Sequence, residues 1–148
     1  MSGLYSRNKG KRNEYLLRDL LRSQGWVADR VPSSGAAQGF KGDIRASKGD
    51  CEVLLELKAR ANSFSKLYKM AETGGLGAYA HNQGCVILEP TLDRVLESPL
   101  AFYPPREFGE HAVKGVETAM KLKKLLGESQ ILVVRDDRKP MIFIRYVG

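Results

Sequence analysis

Only two cysteines, Cys51 and Cys85, stand in this chain of 148 residues, too few for the disulfide framework of a small secreted module. No apolar run approaches the roughly 18–20 residues that a membrane-spanning helix needs, so no membrane partner is expected. The opening stretch, MSGLYSRNKGKRN, is basic but has no apolar run behind it, so no secretory signal is expected. The two histidines, His81 and His111, lack the spacing of metal ligands and are read as core or surface residues. There is no Gly-x-Ser-x-Gly elbow, which sets Ser34 aside as a hydrolase nucleophile. No repeat or low-complexity tract is visible. These absences leave one basic domain over 1–148, expected in the cytoplasm, and large enough to bury about 70% of its unfolded surface.

Positive charge is what the chain has in excess: 24 Lys+Arg against 17 Asp+Glu, a net of +7. The excess is uneven, with a net of +5 in residues 1–60, −2 in 61–112 and +4 in 113–148. Arg7, Lys9, Lys11 and Arg12 fall within the first twelve residues without an acid among them. A polyanion is the partner such a distribution suggests, although charge alone does not choose among polyanions.

Hydrophobic periodicity predicts a helix over 13–24, with Leu16, Leu17, Leu20 and Leu21 as its buried stripe and Gly25 as its stop. Glu14 falls about 90° from the centre of that stripe, on the flank that also carries Lys11, Arg18 and Arg22. Trp26 to Val31 reads as a strand, and the small-residue stretch 33–42 as a loop. Asp43 to Ser47 and Cys51 to Lys58 read as a hairpin, with Val53, Leu55 and Leu57 on one face and Glu52, Leu54, Glu56 and Lys58 on the other. Phe64, Leu67, Tyr68 and Ala71 mark an amphipathic helix, and 85–89 a short strand in which Cys85, like Cys51 before it, is expected in the core. Residues 91–110 carry Pro99, Pro104 and Pro105 and are left as an excursion or flap. A helix is expected over 111–126 with Val113, Val116, Met120 and Leu122 to Leu126 in its stripe, then a hairpin of 131–135 and 141–146. Together these elements predict a mixed α/β domain with one central sheet.

The chemistry concentrates in the first hairpin. A divalent-metal site needs hard oxygen ligands a few ångströms apart on rigid backbone. Asp43 and Glu56 meet that need on neighbouring strands only if paired positions sum to an odd number. A sum of 97 puts Asp43 across from Leu54, a sum of 99 directly opposite Glu56, and an even sum on the wrong face. Lys58 shares the face of Glu56 and can serve a water or a phosphate oxygen there. Mg²⁺ between the carboxylates would polarise a phosphate and lower the pKa of a water. An acid-x-Lys triplet by itself is common. Asp137-Arg138-Lys139 is another, but it lies at a turn before Pro140 with no partnered aspartate. The alternative for Glu56 and Lys58 is an ion pair on a solvated strand. Against it stand the apolar residues at 53, 54, 55 and 57, which suggest cover on both faces of that strand.

From about Lys9 to Tyr68 the chain resembles the PD-(D/E)XK nuclease superfamily. Its nearest likeness there is to the small Holliday-junction resolvases of archaea and viruses and their phage relatives. The matching elements are a Lys9-Gly10 turn, Glu14 before the leucine-rich helix, Arg30 with Ser34-Gly35, Gly42-Asp43-Ile44, and Glu56-Leu57-Lys58. The resemblance implies a restriction-endonuclease-like core, a central mixed sheet flanked by helices. It implies Mg²⁺, with Mn²⁺ as a substitute, held by Asp43, Glu56 and the Leu57 carbonyl, with Glu14 joining directly or through water. It also implies Lys58 orienting the attacking water, Ser34 near the scissile phosphate with Arg30 in support, 5′-phosphate and 3′-hydroxyl products, and a homodimer with one site per protomer.

Arg7, Lys9, Lys11, Arg12 and Lys41 flank these motif elements and are read as phosphate contacts, with Lys66 and Lys69 as a further pair on the second helix. No base-reading helix is evident, which fits recognition of DNA by shape and backbone. The leading reading is an endonuclease that resolves four-way junctions in a prokaryotic or phage-infected cell. A nicking or restriction-type nuclease acting on duplex or single-stranded DNA is the second, and a non-catalytic nucleic-acid-binding module the third.

Overall fold

The computed structural model describes residues 3–31, 43–72, 78–81, 84–97 and 116–147. The elements, in chain order, are α1 (Gly3–Ser23), β1 (Val27–Arg30), β2 (Ile44–Lys48), β3 (Cys51–Arg60), α2 (Ser65–Glu72), β4 (Ala78–His81), β5 (Gly84–Glu89), α3 (Leu92–Glu97), α4 (Val116–Leu126), β6 (Ile131–Asp136) and β7 (Ile142–Val147). Seven strands form one sheet in the order β1-β2-β3-β6-β7-β5-β4. Only β3 and β6 run parallel; every other neighbouring pair is antiparallel. This is the mixed, helix-flanked sheet the sequence led us to expect.

Side-chain alternation divides the core between the two faces of the sheet. Val53, Leu55 and Leu57 of β3 join Ile131 and Val133 of β6 beneath Leu17 and Leu21 of α1 and Leu92 and Val95 of α3. Leu132 and Val134 point the other way, into a cluster with Phe64, Leu67 and Tyr68 beside α2 and with Leu122 and Leu126 of α4. Glu56 lies alongside Leu132 in the parallel pair, so it belongs to the α2–α4 face.

Helix α1 begins ten residues before the expected Asn13 and takes in Lys9 and Gly10, which form no turn. Its first half has no apolar stripe for periodicity to detect. Polar contacts hold it instead, as Lys9 Nζ lies 2.7 Å from Asp137 Oδ1 and Arg135 Nη1 donates to Asn13 Oδ1 at 2.7 Å. Leu16 is 45% exposed, because the stripe centres on Leu17 and Leu21 and leaves it on the margin. At the other end Trp26 N donates to Leu21 O and Gly25 N to Arg22 O, with Gly25 at φ 91°. This Schellman closure removes Trp26 from the expected strand.

The β2–β3 hairpin turns on Gly49 and Asp50 alone, since Lys48 pairs with Cys51. Gly49 sits at φ 60°, the positive value that the first central position of a type II′ turn demands. Being next to the turn leaves Cys51 exposed rather than in the core. Cys85 falls in β5, but its side chain lies outside what is described, as does that of His81 in β4. Met120 is 60% exposed, because Leu122 and Leu126, with Leu125 beside them, point α4 at the sheet. β4 and the short α3 occupy places where no element was expected. The 33–42 loop, Pro99, Pro104, Pro105, His111 and Val113 lie outside the described residues.

Candidate active site

The β2–β3 ladder runs from Ile44↔Leu55 to Lys48↔Cys51, a register sum of 99 throughout. Asp43 lies one residue beyond the last pair, and its N–H donates at 2.8 Å to Leu55 O, the residue already paired with Ile44. The strand therefore bulges there, and Asp43 meets Glu56 through its side chain rather than as the next rung of the ladder. Asp43 Oδ2 accepts the Leu57 N–H at 2.9 Å. A strand residue directs its N–H and C=O to the same side, so the Leu57 carbonyl faces the Asp43 carboxylate as well. Lys58 Nζ lies 3.2 Å from Glu56 Oε1. Burial, followed by the neighbouring Asp43 carboxylate, pushes the Glu56 carboxyl above its ordinary range against the opposing pull of Lys58. One ammonium thus leaves two adjoining carboxylates under-neutralised, a donor set of hard oxygens that fits a divalent cation.

Glu14 stands apart from that pair. It rides on α1, over the Leu57 face, while Glu56 and Lys58 alternate to the opposite face. Its Oε1 accepts from Arg30 Nε at 3.0 Å, and Arg30 Nη1 reaches the Tyr15 hydroxyl at 3.1 Å. Among the described residues no group of three His, Cys, Asp or Glu converges on one point. Glu14 nevertheless shares a cleft of about 350 Å³ with Leu57 and Lys58, walled by Lys9, Gly10 and Asn13 on α1 and by Ala59, Arg60 and Ala61 beyond them on β3.

The expected phosphate contacts are dispersed. Lys9 lines the cleft but is paired with Asp137. Lys11 and Arg12 are exposed on the outer side of α1, and Arg7 falls in its first turns. Lys66 and Lys69 are exposed on α2, and Lys69 borders a second cavity of about 250 Å³ with Tyr68, Asp136 and Lys139. Ser34 and Lys41 lie outside the described residues.

A family model described as archaeal Holliday junction resolvase (hjc) matches residues 5–134. The chain belongs to this family. Protein D14 of Escherichia phage T5 is 56% identical over 43 residues, which cover 26% of this chain and 27% of that protein. The chain therefore matches about a quarter of the length of that curated relative. Membership in a nuclease family of the PD-(D/E)XK type agrees with the sheet and with the paired acids at the end of β2 and on β3.

Sequence reasoning missed several residues that shape the resolvase-family cleft. Asn13 is buried, donates from Nδ2 to Lys9 O at 2.9 Å and accepts from Arg135, 122 positions away. Asp137, dismissed as part of a decoy triplet, pins Lys9 at the cleft wall. Neither pairing leaves a signal in local spacing. Tyr15 did leave one: it sits three residues before Arg18, whose guanidinium lies 4.8 Å from its ring centre, while that of Arg30 lies at 4.7 Å.

Proposed function

We propose that this protein is a divalent-metal-dependent endonuclease that resolves four-way DNA junctions by paired phosphodiester hydrolysis. The observation that supports the reading is the meeting of side chains at the start of β2, where the Asp43 carboxylate accepts from Leu57 N and adjoins the Glu56 carboxylate, with Lys58 against Glu56. Family membership supports the junction as substrate. Asp43, Glu56 and the Leu57 carbonyl would hold Mg²⁺, for which Mn²⁺ would substitute, and Glu14 would join directly or through water. When bound, the cation offsets the two carboxylates, activates water and polarises the scissile phosphate.

Lys58 orients the attacking water and balances charge gathering on the phosphate. Water adds to phosphorus, the P–O3′ bond breaks, and a 5′-phosphate and a 3′-hydroxyl result. Arg30, held against Glu14, supports the strand together with Ser34. Arg7, Lys9, Lys11, Arg12, Lys41, Lys66 and Lys69 supply phosphate contacts, each adding about 0.9 to the salt slope of binding. Two copies of the single 1–148 domain, acting as a homodimer on branched DNA, make the paired nicks.

The test sets synthetic four-way junctions beside linear duplexes of the same sequence, with Mg²⁺ and with chelator. We expect symmetric nicks near the crossover in the junction alone. Asp43→Asn and Glu56→Gln should each abolish cleavage and leave junction binding as tight or tighter, since fewer carboxylates then repel phosphate. Cutting by either variant at the wild-type rate removes these residues from the site. Equal cutting of the linear duplex removes the junction from the substrate.

A further inference from the structure

Gly10 lies on the inward stripe of α1. It precedes Leu17 by seven residues and Leu21 by eleven, and both leucines are buried against the sheet. At Gly10 the same stripe meets nothing. A Cβ built there meets, apart from its own helical turn, no atom of the described residues within 4 Å, and the residue forms part of the cleft wall facing the end of β3, where Ala59 is also small. The backbone gives no reason for glycine either, since the glycines with positive φ are Gly25, Gly49 and Gly127. In a helix interior glycine is less favourable than alanine, because it has more freedom to lose and covers less backbone. Neither conformation nor packing among the described residues accounts for an unfilled position on the packed side of a helix.

The cleft supplies a reason. Its charged lining is Lys9, Lys58, Arg60 and Glu14, with Lys9 held by Asp137 and Lys58 by Glu56, and it adjoins the Asp43–Glu56 pair through Leu57 and Lys58. We propose that Gly10 keeps the α1 wall bare so that the sugar–phosphate backbone of the substrate strand can lie directly against the helix. Gly10 is then a positioning residue: it touches no reacting atom but sets how deeply the strand enters beside the catalytic pair. The inference rests on the nuclease reading for its substrate. A cleft with a glycine wall and cationic groups on its lining admits a thin strand whose phosphates can compete for Lys9, Lys58 and Arg60, and a side chain at position 10 occupies the same space.

Gly10→Ala and Gly10→Leu test this, because both substituents favour helix and differ in bulk. Thermal melting, junction affinity in chelator (fluorescence anisotropy on a synthetic four-way junction) and cleavage with Mg²⁺ are measured for each. We expect Tm to rise by roughly 2–5 °C in Gly10→Ala, while the junction Kd weakens about tenfold and kcat/KM falls in step. Gly10→Leu should lose considerably more affinity. Stability and function moving in opposite directions, with a loss graded by side-chain size, is an outcome that a purely structural glycine does not produce. Unchanged affinity and cleavage in both variants overturns the proposal, and so does a drop in Tm in Gly10→Ala, which would give the glycine a packing role. Wild-type protein that binds the junction but never cuts it defeats the nuclease reading alone, leaving Gly10 to be judged on Kd. Wild-type protein that binds no junction defeats both.

Discussion

Glu56 carries a cost that only its chemistry explains. Burial and the Asp43 carboxylate hold its carboxyl above the ordinary value of 4.5, so the folded protein keeps this proton to a higher pH than the unfolded chain does. Ionisation at neutral pH therefore subtracts from stability, and that loss is relieved as pH falls through the raised pKa. In chelator at pH 7, Glu56→Gln should melt above wild type, with the gap closing as pH drops and Glu56 takes up its proton. A variant that melts lower across that range would mean that the Lys58 pairing outweighs burial and Asp43. A gain in stability at the expense of cleavage is the pattern of a site held under tension for function. The pair was legible in the sequence because Asp43 and Glu56 are thirteen positions apart within one hairpin; the register was not, since sums of 97 and 99 both remained open and the strand bulges at Asp43. The Asn13–Arg135 contact was not legible, since nothing local links residues 122 positions apart.

Helix α1 shows how far periodicity reaches at the scale of an element. Its second half carries Leu17 and Leu21 and was readable. Its first half is polar and is held in place by the β6–β7 turn, where Arg135 bonds both Asn13 and the Lys139 carbonyl and Asp137 takes Lys9. Arg135→Ala removes that clamp and strands the buried Asn13 amide, a loss of about 1–3 kcal/mol. Hydrogen exchange should then quicken over the amides up to Asn13 while β3 and β6 stay protected. Uniform acceleration across the sheet, or no change in α1, would show that the clamp is not what orders this segment. Helix α2 depends on a remote partner as well. Its start is fixed by the buried Asp136, whose two carboxylate oxygens accept from Phe64 N at 3.0 and 3.1 Å, and Asp136 N in turn donates to the Tyr68 hydroxyl at 3.2 Å. The apolar pattern from Phe64 to Tyr68 announced the helix but not its cap.

Across the whole molecule, a further acid with a raised pKa lies buried at the far side of the sheet. Glu89, at the end of β5, is 5% exposed and meets Arg94 Nε at 3.5 Å. Burial raises its carboxyl above 4.5 more strongly than Arg94 lowers it. The sign is the same as for Glu56: the folded state holds the extra proton, so stability should increase as pH falls from 7 toward 4.5. Denaturant unfolding of wild type and Glu89→Gln at several pH values isolates this contribution. Wild type is expected to gain on the variant as pH falls through that window, and parallel curves would refute a raised pKa.

By itself the sequence determined the fold class, the acid pair and the character of its partner. Each of these is encoded in patterns that operate over short spans: alternation in strands, the inward stripe of a helix, the parity of a turn and the sign of the charge. The tertiary structure decided what no short span contains. It laid the polar half of α1 over the end of β3 and so made the cleft. It left Glu14 on the Leu57 face with Arg30, on the other side from Glu56, because alternate residues of one strand must face opposite sides of a sheet. The net charge of +7 foretold an anion; the site where that anion can lie depends on contacts between residues more than a hundred positions apart.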